Sequence, residues 1–247
     1  MTTHQFFIEH SQINPDMTIK LEGADAHHIR SVLRLKKNAR IHLIDDRRIL
    51  HVAEVERIAK GVVYARILES SGNPLPGHHL TVIQGIPRLT KADLIVQKLT
   101  ELGVACIVLV PMKYTPYPDG FQRISKRLER LQSVAEAAAK QCHRRDIPRV
   151  VAVDGLEASL KDLGADTKLL AADEKVSGRS LRECLDDVKK DTRMAVIIGP
   201  EGGFSPEERR ILDDNAAASF SLGANILRTE TAAIVATAII LYELGEI

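Results

Sequence analysis

The sequence predicts an α/β protein in which a parallel sheet flanked by helices is preceded by a small β-barrel. Three observations predict this class. Short β-type runs separated by charged or glycine-containing turns fill roughly the first 70 residues. A stretch rich in Ser, Gly, Asn and Pro at 70–77 then marks a boundary, because such residues favour turns and linkers. Beyond it, apolar runs alternate with helical patterns, which is typical of a parallel sheet covered by helices.

The N-terminal part is predicted to contain short strands and one helix. The helix spans residues 24–34, where Ile29, Val32 and Leu33 form an apolar stripe beside histidines and arginines. The strands cover residues 5–8, 40–44, 49–55 and 61–68. We expect them to form a barrel that occupies residues 1–71 and is followed by a linker at 72–79.

The C-terminal part, residues 80–247, is predicted to alternate strands with helices. Thr90-x-x-Asp93 and Ser205-Pro206-Glu207-Glu208 both indicate helix starts. In the second pattern a serine cap, a proline at the first helical position and an acid three residues after the cap agree. The predicted strands are 80–83, 106–110, 168–172, 194–198 and 219–222, and the predicted helices are 90–102, 121–141, 179–190, 206–217 and 229–243.

The composition indicates an ordinary globular protein of the cytoplasm. The 247 residues are 45% apolar and 27% charged, which is enough to bury a substantial core. The N-terminal segment lacks the cationic and apolar regions of a leader, and the apolar stretch 232–241 is too short to cross a bilayer. The 3 cysteines have no C-x-x-C spacing, so a reducing compartment is expected and a disulfide or zinc site is not.

Charge is distributed unevenly, although the formal net charge is only +1. Residues 113–150 hold nine Lys or Arg against four acids, whereas residues 200–247 hold three Arg against eight acids. The basic segment favours phosphate contacts, because neutralising phosphates releases counterions from nucleic acid. A solvated helix face explains the same charges equally well.

Two glycine-containing loops give the strongest indication of a binding site. Residues 199–203 (Gly-Pro-Glu-Gly-Gly) follow a buried-type strand, and residues 221–233 leave another strand through Gly223. Neither loop has the G-x-G-x-x-G pattern or a P-loop lysine, which disfavours dinucleotide and nucleoside-triphosphate sites. Since α/β proteins bind ligands at the carboxyl ends of their strands, we expect the two loops to enclose one pocket. Either loop alone is also compatible with a tight strand-to-helix turn.

The two loops together resemble the paired signature of SPOUT-class methyltransferases, and more narrowly that of the RsmE family. The second loop reads Leu-Gly and then Ile-Leu-Arg-Thr-Glu-Thr-Ala within residues 222–232. Further matches lie at 97–104 (Gln-Lys-Leu-Thr-Glu-Leu-Gly-Val), at 136–148 (from Glu-Ala-Ala-Ala-Lys-Gln-Cys to Ile-Pro) and at 27–34 (from His-His-Ile to Val-Leu-Arg). These matches span nearly the whole chain in the family's order.

The resemblance implies a PUA-like RNA-binding β-barrel at the N-terminus and a SPOUT domain with a C-terminal trefoil knot. It implies methylation of N3 of a specific uridine in 16S ribosomal RNA of the small subunit, with S-adenosylmethionine as cofactor. It also implies a cytoplasmic homodimer that uses no metal and no membrane. The alternatives are a non-catalytic RNA-binding or ribosome-assembly factor with the same fold, and methylation of another position such as a ribose 2′-oxygen.

The chemistry of uridine N3 indicates the catalytic residues, and the resemblance implies the cofactor contacts. Arg228 is expected to hold the uracil oxygens as negative charge builds on the ring, while Glu201 or Glu230 accepts the N3 proton. A surface ion pair at a helix start is the alternative for Arg228 and Glu230. The expected cofactor contacts are Leu170, Ile198, Gly199, Pro200, Glu201, Gly202, Gly203, Ser221, Leu222, Gly223, Ile226, Leu227, Thr231 and Ala232. The expected RNA contacts are His28, Arg30, Arg34, Lys91, Lys98, Lys113, Arg123, Lys140, Arg144 and Arg145.

The chain departs from the family's pattern at several positions expected to face RNA. Lys140 replaces a usual Glu, His143 a usual Gly and Asn225 a usual basic residue, while residues 112–114 (Met-Lys-Tyr) replace a Ser-Glu-Arg-like segment. The histidine pairs at 27–28 and 78–79 are not expected to bind metal, because adjacent side chains on a helix diverge. A nucleophilic thiol at 142–143 is not expected either, since no orienting acid stands at a fixed spacing.

Overall fold

The computed structural model describes residues 4–71, 80–189 and 192–247. The chain divides into two compact units, residues 1–76 with 139–146 and residues 77–138 with 147–247. Residues 139–146, expected in the C-terminal domain, therefore group with the first unit. The expected linker at 72–79, with the histidine pair at 78–79, lies outside the described residues, so the domain boundaries at 71 and 80 stay a prediction. No described helix is long and apolar enough to span a membrane.

The first unit contains a five-stranded sheet. Its strands are β1 (His4–Phe7), β2 (Thr18–Leu21), β3 (Arg40–Ile44), β4 (Leu50–Ala59) and β5 (Val62–Ser70). Their order is β1-β3-β4-β5-β2, with β1 parallel to β3 and the other neighbours antiparallel. Alternate residues such as Phe6, Ile41 and Val55 are buried, which forms the core of this unit. The sequence analysis missed β2, because four residues reading Thr-Ile-Lys-Leu give too short an alternation.

The predicted helix at 24–34 is shorter and less regular than expected. A single α-helical segment, α1 (Gly23–His27), continues as a π-helical turn over His28–Val32. In that turn the Leu33 N–H bonds to the His28 carbonyl, which is a wider spacing than that of an α-helix. The wider turn rotates the predicted apolar stripe, so that Ile29 is fully buried while Val32 is 62% exposed.

Six parallel strands form the sheet of the second unit. They are β6 (Leu80–Gly85), β7 (Cys106–Val110), β8 (Arg149–Ala152), β9 (Lys168–Ala172), β10 (Met194–Ile198) and β11 (Ala218–Phe220). Their order is β11-β9-β10-β6-β7-β8, and all neighbouring pairs are parallel. The predicted parallel sheet is confirmed, with β8 as a strand that the sequence analysis missed. The most buried strand, β10, lies between β9 and β6.

Helices pack on both faces of this sheet. They are α2 (Leu89–Leu102), α3 (Gly120–Ser125), α4 (Leu128–Gln141), α5 (Leu156–Lys161), α6 (Leu181–Leu185), α7 (Pro206–Asp214) and α8 (Thr229–Glu243). On β10, Met194, Val196 and Ile198 join a core cluster with residues of α2 and α8. The alternate residues Ala195 and Ile197 join a second cluster with residues of α5 and α7. The sheet is therefore apolar on both faces, as a parallel sheet covered by helices must be.

The predicted helix start at Ser205 is confirmed. The Ser205 hydroxyl accepts the Glu208 N–H at 3.2 Å, and the Glu208 carboxylate accepts the Ser205 N–H at 2.7 Å, which is a capping box. The predicted helix 229–243 is also confirmed, as α8. The predicted helix 90–102 is confirmed as α2, although it begins one residue earlier, at Leu89, with Arg88 rather than Thr90 at the N-cap.

Three predicted helices are shorter than expected. Residues 121–141 form two helices, since the Arg127 N–H bonds to the Ile124 carbonyl in a tighter turn that ends α3. The helix expected at 179–190 is only α6, and two acids follow it, where a helix dipole disfavours negative charge. The helix α7 ends at Asp214 because Ala216 takes a left-handed conformation, with φ at 55°.

Candidate active site

A cleft of about 590 Å³ opens at the carboxyl edge of the parallel sheet. It is lined by the segments that leave β9, β10 and β11, at residues 172–174, 198–203 and 221–229, together with Arg88, Lys91 and Ala232. The strand order reverses direction beside β10, and ligands of α/β proteins bind at such a point. The prediction that the two glycine-containing loops share one pocket is confirmed, since Gly202 and Gly223 both line this cleft.

The loop at 199–203 needs glycine at its last position. The Gly203 N–H bonds to the Pro200 carbonyl at 2.9 Å, and the Gly203 φ is 69°. A Cβ at Gly203 would lie 2.5 Å from the Glu174 carboxylate, which is far inside normal contact. The tight turn therefore places backbone without a side chain at the cleft, and the Glu174 carboxylate lies next to Gly203.

The loop at 221–228 is fixed at its first residues and open at its tip. The Ser221 hydroxyl accepts the Gly223 N–H at 3.3 Å, and Gly223 has a φ of 113°, which favours glycine. At the tip, Ile226 is 81% exposed. The loop ends at Arg228, whose extended backbone forms the N-cap of α8.

A buried hydrogen-bonded group joins this loop to the neighbouring strands. The Thr229 hydroxyl donates to the Gly199 carbonyl at 2.6 Å and accepts from the Gln84 side-chain amide at 2.9 Å. The same amide also donates to the Gly85 carbonyl at 2.8 Å. The start of α8 is thereby held against the ends of β6 and β10. The sequence analysis missed Gln84, although an amide inside an otherwise apolar strand is a signal that it could have used.

Lys91 gathers two carboxylates at the rim of the cleft. Its ammonium lies 2.8 Å from the Glu230 carboxylate and 3.4 Å from that of Glu201. Glu201 also accepts the Arg88 backbone N–H at 3.0 Å. Burial opposes ionisation of Glu230, but Lys91 and Arg228 together hold the pKa of its carboxyl below the ordinary value. Glu230 is therefore a charged partner of Lys91 at neutral pH.

Arg228, like Arg88, is an exposed cation of the cleft. No carboxylate in the described part of the chain lies within ion-pair distance of its guanidinium, because Glu230 pairs with Lys91 instead. The alternative interpretation, an ion pair between Arg228 and Glu230, is therefore wrong, because Glu230 pairs with Lys91. The guanidinium is available to a ligand.

Two acids of the β9 exit line the cleft, and the sequence analysis missed both. Asp173 is buried and accepts two hydrogen bonds from Arg209, one of them at 3.0 Å. Burial raises the pKa of Asp173, but the bonds from Arg209 and the Lys175 N–H outweigh it and lower the pKa below the ordinary value. Glu174 lies 3.8 Å from Arg209 and keeps a more exposed carboxylate. Only the strand order brings these acids beside the loops.

Comparison with known proteins places the chain in a family. A sequence profile of the RNA methyltransferase domain matches residues 73–241, and one of the RNA methyltransferase PUA domain matches residues 21–68. The ribosomal RNA small subunit methyltransferase E of Aquifex aeolicus is 30% identical over 233 residues, which cover 94% of this chain and 96% of the relative. The chain belongs to the ribosomal RNA small subunit methyltransferase E family. The predicted RsmE membership and the predicted enzyme class, an RNA methyltransferase, are confirmed.

Other members of the family agree in sequence and in structure. The Bacillus subtilis methyltransferase E is 27% identical over 247 residues, which cover 97% of this chain and 96% of that protein. The crystal structure of the Neisseria gonorrhoeae methyltransferase E, bound to S-adenosylmethionine, superposes with a TM-score of 0.83 at 26% identity. That match covers 98% of both chains. The similarity therefore extends over nearly the whole length of this chain and of both relatives.

Most of the cofactor contacts expected for this methyltransferase family line the cleft. They are Ile198, Gly199, Pro200, Glu201, Gly202, Gly203, Ser221, Leu222, Gly223, Ile226, Leu227 and Ala232, together with the expected catalytic Arg228. Leu170 does not reach the cleft, because its side chain is fully buried in the core cluster of the sheet. Thr231 lies exposed on α8, about 200° around the helix from the buried Thr229. Glu230 is also outside the lining and is connected to it through Lys91.

The RNA contacts expected in the second unit differ in their availability. Lys91 lies in the cleft, and Lys113 is exposed. Lys98 pairs with Glu101 at 2.8 Å, and Arg123 pairs with Asp119 at 2.6 Å. Both pairs are exposed enough to be weak, so they leave these cations open to a phosphate.

The RNA contacts expected in the first unit also divide into exposed and engaged residues. His28, Arg30 and Arg34 are exposed on the π-helical turn and just after it. Lys140 pairs with Asp25 at 2.9 Å. Arg144 is buried and pairs with Asp146 at 2.7 Å, and the Arg145 guanidinium lies 3.4 Å from the Ser71 hydroxyl. Burial makes Arg144 a structural residue in this arrangement.

His143, where the family usually has glycine, keeps the glycine-like backbone. Its φ is 59°, in the left-handed region, and its side chain is exposed. The histidine is therefore accommodated in a conformation that favours glycine, at the cost of strain.

Proposed function

We propose that this protein transfers a methyl group from S-adenosylmethionine to N3 of a uridine in 16S ribosomal RNA of the small subunit. The observation that carries the proposal is the single cleft formed by the loops 199–203 and 221–228 in a member of this methyltransferase family. The gonococcal relative was solved with S-adenosylmethionine, which supports the same cofactor here.

The residues of the cleft fit this cofactor. The volume of about 590 Å³ lies within the range of small-molecule sites, roughly 300–1,000 Å³. Ile198, Leu222 and Ala232 offer apolar surface to a purine ring, and the loop backbones offer hydrogen-bonding groups. The Glu174 carboxylate beside Gly203 offers a negative charge to a cationic cofactor. We propose that these residues hold the cofactor.

The uridine must lose its N3 proton before N3 can act as a nucleophile. When bound, S-adenosylmethionine supplies a methyl carbon already activated by the sulfonium to which it is attached. The bond between this methyl carbon and sulfur breaks in the transfer, and its electron pair stays on sulfur. We propose that Arg228 donates hydrogen bonds to the uracil oxygens and stabilises the negative charge that builds on the ring. The N3 proton passes to a carboxylate, directly or through water.

We assign the proton acceptor to Glu201 rather than Glu230. Glu201 lines the cleft, whereas Glu230 does not. The lowered pKa of Glu230 makes it a weaker base, because Lys91 and Arg228 favour its ionised form. In this mechanism Lys91 holds both carboxylates in place through its ion pairs.

The remaining features of the family are proposals for this chain. We propose a PUA-like barrel in the first unit, a C-terminal trefoil knot and a homodimer, with RNA bound through the exposed residues His28, Arg30, Arg34 and Lys113. A cytoplasmic location stays a prediction.

Methyl transfer to defined substrates tests the proposal. Purified protein and labelled cofactor are incubated with naked 16S RNA and, separately, with small subunits from cells that lack the enzyme. Nucleoside mass spectrometry should then find N3-methyluridine. A ribose-methylated nucleoside would instead identify the 2′-oxygen as the target. A non-catalytic assembly factor should give neither product, and calorimetry with the cofactor should give no heat.

Substitution of Arg228 is the most direct test of the role proposed for its guanidinium in methyl transfer. Arg228→Ala should lower kcat about 100-fold while the dissociation constant of the cofactor stays unchanged, since the guanidinium acts on the uracil. Arg210→Ala is the control, because Arg210 is exposed on α7 and pairs only weakly with Glu207 at 3.8 Å. Wild-type rates for Arg228→Ala would remove the role proposed for this residue.

A further inference from the structure

Three potential metal ligands meet in the first unit, where His10 lies far along the sequence from Asp45 and His51. The His10 Nδ1 atom lies 2.8 Å from Asp45 Oδ2, and the His51 Nε2 atom lies 3.2 Å from the same oxygen. All three ligand atoms lie within 4.8 Å of one another. His10 begins the 3-10 turn that follows β1, Asp45 directly follows β3, and His51 lies on β4. Sequence spacing could not reveal this group, since β1, β3 and β4 come together only in the sheet.

The backbone around Asp45 aims one carboxylate oxygen at the histidines. Asp45 Oδ1 accepts the N–H groups of Arg47 and Ile49, at 3.0 and 2.9 Å, which leaves Oδ2 to face His10 and His51. The side chain of Asp45 is fully buried. An ionised carboxylate so far from water requires a cationic or hydrogen-bonding partner at Oδ2.

His51 carries the arrangement that metal-binding histidines show. Its Nδ1 lies 2.7 Å from the Ser70 hydroxyl, and its Nε2 faces Asp45. Histidine ligands commonly donate their second ring N–H to an oxygen, which orients the lone pair of the other nitrogen at the metal. If Nδ1 donates to Ser70, the Nε2 lone pair faces a carboxylate oxygen, and that contact is favourable only with a cation between them.

The His10 side of the group is open to small ligands. The His10 side chain is 38% exposed, and it lines a cavity of about 440 Å³ together with Asn14, His51 and Ser70. A cation can therefore enter from this cavity, and water can complete its coordination.

We propose that His10 Nδ1, His51 Nε2 and Asp45 Oδ2 bind a divalent transition-metal cation, Zn²⁺. Imidazole and carboxylate ligands suit Zn²⁺, whereas Mg²⁺ and Ca²⁺ require oxygen ligands. Tetrahedral bonds of about 2.0–2.1 Å separate ligand atoms by about 3.3 Å. The separations of 2.8 and 3.2 Å from Asp45 are close to that value, and the His10–His51 separation, which is at most 4.8 Å, adjusts to it on binding. The ion joins the segment after β1 to the β3–β4 corner and stabilises the first unit.

Metal titration of the full-length protein tests this site. The chelator-treated protein is titrated with Co²⁺, followed by its visible absorption, and with Zn²⁺ by calorimetry. One equivalent of each should bind, and Mg²⁺ should not. His10→Ala should weaken Zn²⁺ binding at least about tenfold, since loss of even an outer-shell partner typically costs that much. His27→Ala, which removes an exposed histidine, should change nothing.

Because the His10 side chain is partly exposed, we expect His10→Ala to fold. Unfolding temperatures then separate a loss of metal binding from a loss of stability. Zn²⁺ should raise the unfolding temperature of the wild type and of His27→Ala, but not that of His10→Ala. Absence of one-equivalent binding by the wild type would show a metal-free hydrogen-bonded group and overturn the proposal. Equal Zn²⁺ affinity of His10→Ala and His27→Ala would place the ion elsewhere and overturn it too.

Discussion

Replacing Gly203 by alanine tests the construction of the cleft. The residue has a φ of 69°, a conformation that costs an L-residue about 1–2 kcal/mol relative to glycine. The new methyl group would also start 2.5 Å from the Glu174 carboxylate. That carboxylate is the end of a flexible side chain about one third exposed, so it can rotate away at little cost in stability. We therefore expect a loss of about 1–2 kcal/mol in the free energy of unfolding.

Gly245 supplies a matched control outside the cleft. Its φ is 68°, almost the same as that of Gly203, and a Cβ there would contact nothing within 4 Å. Gly245→Ala should cost about the same stability, because the backbone strain is the same. Only Gly203→Ala should weaken cofactor binding, by about tenfold or more, since its methyl enters the cleft and displaces Glu174. A tenfold loss corresponds to about 1.4 kcal/mol.

Chemical denaturation and calorimetry with S-adenosylmethionine measure the two effects separately. Wild-type stability together with wild-type affinity in Gly203→Ala would refute the role given to this glycine. Equal weakening of cofactor binding by Gly245→Ala and Gly203→Ala would refute it too, because the effect would then be a general one on folding.

Three further predictions concern single residues. Thr229→Val should lower the free energy of unfolding by about 1–3 kcal/mol, as it leaves buried groups without partners, while the exposed Thr231→Val should change it by less than about 0.5 kcal/mol. His143→Gly should raise the free energy of unfolding by about 0.5–1 kcal/mol by relieving left-handed strain. Asp173→Asn should destabilise the protein at pH 7, and the difference from the wild type should shrink as pH falls below about 4, as followed by denaturation. The folded pKa of Asp173 is lowered, so its contribution is complete above about pH 4, near the unfolded value, and is lost as pH falls through the folded pKa.

Each of these predictions has a result that would contradict it. Equal stability of the Thr229 and Thr231 variants would show that the buried hydroxyl contributes nothing. A destabilised His143→Gly protein would mean that the histidine side chain makes a favourable contact. A constant difference between Asp173→Asn and the wild type from pH 7 to pH 3 would exclude the ionised carboxylate as the source of stability.

Uninterrupted apolar runs made the central strands predictable from sequence. The strands at 106–110, 168–172 and 194–198 have the predicted boundaries, because each is a mainly apolar run that ends at a turn residue. The capped helix at Ser205 was predictable because three local signals agree there. Shorter elements such as β2 and β8 were missed, since four residues give no reliable period.

The glycine-containing loops of the site were predictable, whereas their surroundings were not. A loop rich in glycine after a buried strand is a local signal, and two of them identified the cleft. Asp173 and Glu174 carry no such signal, because they reach the cleft only through the order of β9 and β10. The pairing of Lys91 with two glutamates likewise depends on where α2 begins.

The buried group at Gln84 and Thr229 explains how an exposed loop can hold the side chain of Arg228, the residue proposed to act on the uracil. The loop before Arg228 is open, and it reaches the sheet at Thr229, one residue later. There the hydroxyl is bonded to the backbone carbonyl of Gly199 and to the amide of Gln84, so one residue fixes the ends of two strands and the start of α8. Because these groups are buried, each lost bond leaves an unsatisfied partner, which costs free energy. A Thr229→Val protein that is still folded should therefore lose methyl transfer through misplacement of Arg228, and its cofactor affinity should fall as the Gly199 loop shifts.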